Sequence, residues 1–495
     1  MNLPFSSPSA FTSEGTYRLL PFRFIRIPRR PGEVLLTSDA GEHLFLQEGT
    51  FQSFVDMDLA RGDPSYSDLE AKHFLVAGDP HTAVRLSGAK LRTRKSFLKG
   101  GPALHIFVVT LRCDHGCHYC QVSRRSADLS RFDMSEQTAH LAVDRLFEAP
   151  APHLTVEFQG GEPLLAFPMI QLLTRLIEDR AALEGKRVTF TMTTTLHHAS
   201  DEILGFLRDH DFQVSTSLDG PSDVHDNNRP LPGASSYQRT RQAIERAKAV
   251  LGTERLSALT TLTRRSLQAP EPIIDEYVRL GFRSIFLRPL SPFGFAVRSA
   301  RKLAYPTEEY LAFYERGLRY ILELNRSGIQ LEEAYAATLL RSILTPFPTT
   351  YSDLRSPVGA GFGTLVYNYD GSVYASDEGR MLHEMGNDSL RLGSVQQSYR
   401  ELMSSDTMRM LAATGLAEAL PGCSDCAFVP FCGPDPAGSI SRSGDPVGHR
   451  ANSEHCQRHI GLFNILFAHL AEARPEVLQT FTTWVHRSAP LRLAA

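Results

Sequence analysis

The chain has 495 residues, enough for roughly two to four domains. Its hydrophobic content of 42%, charged content of 22% and formal net charge of −3 are those of an ordinary soluble globular protein. The slight negative charge argues against binding to nucleic acid through a basic surface. Because there is no apolar run of membrane-spanning length and no signal-peptide pattern in residues 1–16, we expect a cytoplasmic protein without a membrane partner.

Residues 1–98 are predicted to form a separate N-terminal domain. Two short apolar runs, 34–37 and 43–46, flank a turn-forming segment and predict a β-hairpin. Helical patterns follow over 51–59 and 67–76. Residues 81–102 contain six Lys/Arg and three Gly, which predicts a linker with solvated charges.

Residues 99–300 alternate between strand-like and helix-like segments. Strands are predicted at 104–110, 154–158, 188–194, 212–217, 256–262 and 283–289, and helices at 135–149, 166–183, 201–209, 236–250 and 271–281. Six such units in series predict a parallel sheet with right-handed crossovers. Six strands are too few for a closed barrel, so the expected fold class is α/β, with a partial (β/α)6 barrel whose functional groups lie at the carboxyl ends of the strands.

Three cysteines follow the first predicted strand at a C-x3-C-x2-C spacing: Cys113, Cys117 and Cys120. A structural zinc site normally closes with four protein ligands. A [4Fe–4S] cluster held by three thiolates leaves one iron open to an exogenous ligand. The alternative is a zinc loop with a remote fourth ligand, for which His115 and His118 are the candidates.

Further candidate binding residues follow the second and fourth strands. They are Gly160, Gly161, Glu162 and Pro163 after the second strand, and Ser217, Asp219 and Arg229 after the fourth. Two adjacent glycines let the backbone approach a ligand closely, and proline fixes the direction of exit. The alternatives are an ordinary turn at 160–163 and a surface arginine at 229.

Residues 301–345 predict a helical bridge, clearest at 310–324, and residues 346–495 predict a β-rich domain with a hairpin over 363–374. This last domain holds the remaining cysteines, Cys423, Cys426, Cys432 and Cys456. Seven cysteines in a reducing compartment do not form a disulfide framework, and the division into three and four fits one open and one fully ligated cluster. A four-cysteine zinc site has the same ligand count and stays an alternative.

Together these motifs resemble the radical SAM superfamily with a SPASM/twitch-type C-terminal extension. The resemblance implies that Cys113, Cys117 and Cys120 hold a [4Fe–4S] cluster whose open iron binds S-adenosylmethionine (SAM). It also implies that Tyr119 lies near the adenine. The backbone of the GGEP motif at 160–163 would hold the SAM amino group, and Ser217 and Arg229, with Asp219 in the same S-x-D-G pattern, would form the site for the SAM carboxylate.

Other positions depart from the family pattern or add to it. Relatives carry T-N-G where this chain has threonines within 191–195, so a ribose contact is carried over only loosely. Arg288 and Leu290 would end near the adenine or the substrate, with core packing as the alternative for Leu290. Asp435, three residues after Cys432, would face the substrate, with a turn-forming aspartate as the alternative. The full extension binds two auxiliary clusters, but two cysteine positions hold Val358 and Ser376, so we expect one auxiliary [4Fe–4S] cluster on the C-terminal cysteines.

The sequence at 432–437 and the N-terminal domain most resemble the His-Xaa-Ser system radical SAM maturases. The resemblance implies reductive cleavage of SAM to a 5′-deoxyadenosyl radical, hydrogen abstraction from a ribosomally made peptide or protein, and an electron donor such as flavodoxin or ferredoxin. The N-terminal domain also resembles winged-helix-like peptide-recognition domains. The alternatives are a formylglycine-generating enzyme like the anaerobic sulfatase maturases, and a non-catalytic zinc-binding scaffold.

Overall fold

The computed structural model describes residues 17–348 and 352–487. The N-terminal part contains strands β1 Arg18–Leu19, β2 Arg23–Arg26, β3 Glu33–Thr37, β4 His43–Gln47 and β5 Leu75–Val76, and helices α1 Glu48–Val55, α2 Tyr66–Ala71 and α3 His81–Arg94. Strands β2, β3 and β4 form an antiparallel sheet, and β3–β4 is the predicted hairpin. Successive side chains of β3 point to opposite faces: Val34 and Leu36 join a small core with α1, whereas Leu35 joins the main core.

The prediction of a solvated linker at 81–102 is wrong. Residues His81–Arg94 form α3, whose buried side chains are only Ala83 and Arg94. An apolar stripe is the usual sequence signal of a packed helix, and α3 lacks one. It is instead anchored through the buried guanidinium at its C-terminal end.

The central part alternates strands and helices as expected. Its strands are β6 Leu104–Thr110, β7 Arg112–Cys113, β8 Arg125–Ser126, β9 His153–Gly160, β10 Arg187–Thr193, β11 Gln213–Ser217, β12 Leu256–Thr261, β13 Ser284–Ile285 and β14 Leu287–Arg288. Its helices are α4 Glu136–Glu148, α5 Phe167–Glu184, α6 Asp201–Asp209, α7 Ser222–Asn228, α8 Ser236–Leu251 and α9 Glu271–Arg279. Six of the strands, β6, β9, β10, β11, β12 and β14, lie side by side in parallel and in chain order, which confirms the predicted sheet.

A helical segment follows, with α10 Phe295–Arg298, α11 Ala300–Leu303, α12 Thr307–Arg326, β15 Glu332–Glu333 and α13 Ala334–Leu344. The C-terminal part then contains α14 Gly359–Phe362, β16 Thr364–Tyr367, β17 Ser372–Tyr374, α15 Asp377–Glu384, β18 Arg391–Ser394, α16 Tyr399–Met403, α17 Asp406–Thr414, α18 Pro436–Ser443, α19 Glu454–Glu472 and α20 Pro475–Arg487. The prediction of a β-rich C-terminal domain is therefore wrong, although the predicted hairpin is present as β16–β17. Serine N-caps at Ser376, Ser398, Ser405 and Ser453 start four of these helices.

The C-terminal strands do not form a sheet of their own. Strand β16 pairs in parallel with β6, from Thr364 opposite Leu104 to Tyr367 opposite Phe107. The result is one nine-stranded mixed sheet in the order β14-β12-β11-β10-β9-β6-β16-β17-β18. Among the described helices, none combines the length and apolar character that crossing a bilayer requires.

Candidate active site

A cavity that is partly open to solvent, here called the cluster cavity, lies at the carboxyl ends of the parallel strands. It brings together most of the residues predicted from the barrel motifs: Cys113, Cys117, Tyr119, Cys120, Gly160, Gly161, Glu162, Ser217 and Arg229. Pro163 and Asp219 do not line it: Pro163 begins a short 3-10 helix after β9, and Asp219 is fully buried. Segments that lie far apart in the chain therefore line the same cavity.

The loop with the three cysteines is anchored to the C-terminal end of α7 and to the segment that follows it. The Gly116 N–H donates to the Pro230 carbonyl at 3.0 Å, and the His118 N–H donates to the Asn228 carbonyl at 3.2 Å. Burial raises the pKa of Cys117 to about 12. The thiol is therefore neutral near pH 7 in metal-free protein, and a metal centre must displace its proton to bind the thiolate.

The two histidines of the zinc-loop alternative lie in different surroundings. His115 is buried and has partners for both ring nitrogens, Asp114 Oδ1 at 2.8 Å and Ser236 Oγ at 3.2 Å, whereas His118 is exposed. The three thiols line the cluster cavity together, and three thiolates fit a cluster that leaves one iron open.

Asp219 is bonded to other residues of the site. Its carboxylate accepts hydrogen bonds from the Tyr119 hydroxyl at 2.8 Å, the Asn228 amide at 3.2 Å and the Thr261 N–H at 3.2 Å. Its Oδ2 also lies 3.4 Å from Arg229 Nε, and the Arg229 guanidinium lies 5.3 Å from the centre of the Tyr119 ring. Asp219 thus joins the cysteine loop to the arginine predicted to bind SAM.

Glu162 is also a fully buried carboxylate with protein partners. Its Oε1 accepts from the Thr194 hydroxyl at 2.6 Å and the Leu164 N–H at 3.0 Å, and its Oε2 accepts from the Thr195 hydroxyl and N–H, each at 2.8 Å. These bonds fasten the end of β9 to the end of β10. Thr194 and Thr195, for which a ribose contact is predicted, therefore also bind Glu162. Sequence reasoning did not find these hydrogen bonds.

The two glycines before Glu162 are required by contact with the protein itself. A Cβ atom on Gly160 would lie 2.3 Å from the Thr110 carbonyl oxygen, and one on Gly161 would lie 2.3 Å from the Arg112 carbonyl oxygen. The Gly161 N–H donates to the Thr110 carbonyl at 2.9 Å. The glycines therefore let the end of β9 approach the segment that delivers Cys113, and they also line the cavity.

The four C-terminal cysteines line a second cavity, here called the auxiliary cavity. Cys423, Cys426 and Cys432 lie on one loop, and Cys456 lies in the first turn of α19. Arg450 Nε donates to the Cys456 sulfur at 3.1 Å, and the Phe428 N–H donates to the Cys426 sulfur at 3.4 Å. Such bonds to sulfur are typical of thiolates that hold a metal centre.

Four thiols around one cavity fit the auxiliary [4Fe–4S] cluster that the sequence predicts, and a four-cysteine zinc site has the same ligand count. Val358 is buried, and Ser376 accepts from the Gly379 N–H at 3.2 Å as a helix cap, so neither presents a ligand to a further cluster.

A third cavity, here called the intervening cavity, adjoins both of the others. It shares Arg288 with the cluster cavity, and Asp435, His455 and His459 with the auxiliary cavity. Leu290 lines it, and Asp435 also caps α18 by accepting from the Gly438 N–H at 2.8 Å. Sequence reasoning missed the histidines, although both lie within three residues of Cys456.

Comparison with known proteins agrees with this geometry. Residues 107–276 match the family model described as the radical SAM superfamily. The cysteine-type anaerobic sulfatase-maturating enzyme of Clostridium perfringens is 23% identical over 301 residues, which cover 60% of this chain and 77% of that protein.

Two solved structures have a similar fold. The structure of native anSMEcpe with bound AdoMet and Cp18Cys peptide has a TM-score of 0.60 at 19% identity, over 75% of this chain and 99% of that one. Streptococcus suis SuiB bound to the precursor peptide SuiA has a TM-score of 0.53 at 12% identity, over 88% of this chain and 98% of that one. The alternative of a non-catalytic zinc-binding scaffold is therefore wrong. Residues 107–276 form a radical SAM domain, and the chain is an enzyme that uses a [4Fe–4S] cluster and SAM.

Proposed function

We propose that this enzyme is a maturase that modifies a side chain of a ribosomally made peptide or protein, of the His-Xaa-Ser system type. The intervening cavity is the observation that carries the proposal, since it gives a side chain room between the cluster cavity and the auxiliary cavity. Solved relatives of similar fold hold a peptide, Cp18Cys in one and SuiA in the other, which supports a peptide substrate here. A flavodoxin or ferredoxin donor and a cytoplasmic location remain predictions.

The residues of the cluster cavity fit SAM and its cluster. When bound there, the [4Fe–4S] cluster and SAM supply the 5′-deoxyadenosyl radical that abstracts a hydrogen atom from the substrate. Arg229 lines the cavity while its Nε lies against Asp219, so its two terminal nitrogens are left for the SAM carboxylate. Ser217 lines the same cavity and supplies a hydroxyl.

The intervening cavity is polar, which favours a substrate residue with hydrogen-bonding groups. Asp353, Glu378, Asp435 and Arg458 all line it. Burial, reinforced by the charges of Asp353 and Asp377, raises the pKa of Glu378 to about 8. The raised pKa favours the protonated form of this carboxyl group, which can donate a hydrogen bond to a bound peptide.

The test is mass spectrometry of peptides co-expressed with this chain. We expect a peptide with His-Xaa-Ser repeats to change mass with the wild-type enzyme and to stay unchanged with Cys117→Ala. A Cys-type and a Ser-type sulfatase peptide form the second arm, because a sulfatase-maturating relative matches 60% of this chain. Formylglycine in that arm alone would replace the His-Xaa-Ser assignment, and no change in any peptide would contradict the proposal.

A further inference from the structure

We propose that the N-terminal domain is part of the auxiliary cysteine site, because it holds the main chain of the loop that carries Cys423, Cys426 and Cys432. Three of its side chains donate hydrogen bonds to three carbonyls of that loop. Arg23 Nε donates to Ser424, Thr37 Oγ1 donates to Ala427 at 2.7 Å, and Arg94 donates to Pro430 at 3.4 Å. The accepting carbonyls belong to residues 424, 427 and 430 and are therefore spaced three residues apart.

The loop needs this support because its own hydrogen bonds form only short turns. The Cys426 N–H donates to the Cys423 carbonyl at 2.9 Å, the Val429 N–H to the Cys426 carbonyl at 3.1 Å, and the Cys432 N–H to the Val429 carbonyl at 3.4 Å. These turns use the carbonyls of residues 423, 426 and 429. The carbonyls that follow each of them, at 424, 427 and 430, are the ones that the N-terminal domain binds.

Arg94 connects the loop to two further segments. Its guanidinium also donates to the Ala40 carbonyl at 2.6 Å in the β3–β4 turn, and to the Ser342 carbonyl at 2.9 Å near the end of α13. It lies 5.4 Å from the centre of the Phe431 ring, and only 9% of the residue is exposed. Carbonyls at a helix C-terminus lack partners within the helix, so a buried arginine is a suitable donor there.

The turn at Gly41 is shaped around this arginine. Gly41 has a φ of +82°, and a Cβ atom there would lie 2.0 Å from Arg94 Cζ. The neighbouring strand β4 contributes aromatic contacts to the same interface: His43 lies 5.5 Å and Phe45 lies 6.2 Å from the ring of Phe467. The domain is thus fitted to the body of the enzyme over a continuous interface.

The inference predicts that weakening these contacts loosens one cysteine loop and leaves the other unchanged. The variant is Thr37→Val/Arg94→Met, which removes two of the three donors and keeps the apolar volume. Arg92→Met is the matched control, because Arg92 lies exposed on the same helix. A pulse of iodoacetamide on metal-free protein, followed by mass spectrometry of each cysteine peptide, reports the opening of each loop without any bound cluster.

We expect Cys423, Cys426 and Cys432 to react at least about tenfold faster in the double variant, which corresponds to about 1.4 kcal/mol. Cys113, Cys117 and Cys120 should react at the wild-type rate, as should every cysteine of Arg92→Met. After anaerobic reconstitution, iron should fall from about eight to about four per chain in the double variant only.

Two results would overturn the inference. Unchanged alkylation with full iron content would mean that the loop is ordered without the N-terminal domain. Equally faster alkylation of all seven cysteines would mean a general loss of stability and no local support. If the double variant is insoluble, Thr37→Val alone decides by the same comparison. If the wild type takes up no metal at the C-terminal cysteines while the alkylation pattern holds, the metal assignment fails and the inference about the loop stands.

Discussion

Two loops of this enzyme each carry three cysteines, and they are ordered in different ways. The loop with Cys113, Cys117 and Cys120 leaves a strand of the nine-stranded sheet and is held by groups from the same barrel, such as Pro230 and Asp219. The loop with Cys423, Cys426 and Cys432 contains no strand and is held by side chains from 336 to 401 residues earlier in the chain. The same ligand type can therefore be positioned by the carboxyl end of a sheet strand or by a domain interface.

The largest expected effect comes from removing the support of the first loop. Asp219→Ala leaves the Arg229 guanidinium and the Tyr119 hydroxyl buried without their shared acceptor. Removing one partner of a buried pair typically costs about 3–5 kcal/mol, so the free energy of unfolding should fall by about that amount. Denaturant titration of metal-free protein measures it.

The matched control is Asp223→Ala. Asp223 makes an exposed ion pair with Arg265 at 3.4 Å, and such pairs contribute only about 0–1 kcal/mol. Equal losses for the two variants would show that the bonds of Asp219 contribute no more than a surface ion pair. Asp219 would then not be a support of the loop that carries Cys113, Cys117 and Cys120.

The contacts that hold the two cysteine loops also differ in how far they could be predicted from the sequence. The six parallel strands were predicted closely, because their apolar runs alternate with clear helical patterns, and the motifs at their ends do meet in one cavity. The roles of Asp219 and Glu162 could not be found, since a motif shows residue types but not the bonds that bury them. Arg94 was assigned to a linker because its partners are backbone carbonyls, which carry no sequence signal.

A smaller effect is expected when Arg229 is changed and its partner Asp219 is kept. Arg229→Lys keeps the charge but loses the planar fork that can donate two parallel hydrogen bonds to a carboxylate. We expect SAM binding to weaken by about 1–3 kcal/mol, the scale of a charge-assisted hydrogen bond. Equilibrium binding of SAM to reconstituted protein measures this, with Arg265→Lys as the surface control. An unchanged affinity would assign Arg229 to packing against Tyr119 alone.

The most direct test of the central claim is anaerobic formation of 5′-deoxyadenosine from SAM with a chemical reductant. We expect the wild type to form it and Cys117→Ala to form none, because the site for the SAM-binding cluster is lost. Cys426→Ala should still form it, because only the auxiliary site is damaged. Formation of 5′-deoxyadenosine by Cys117→Ala at the wild-type rate would contradict the assignment of the cluster cavity as the radical SAM site.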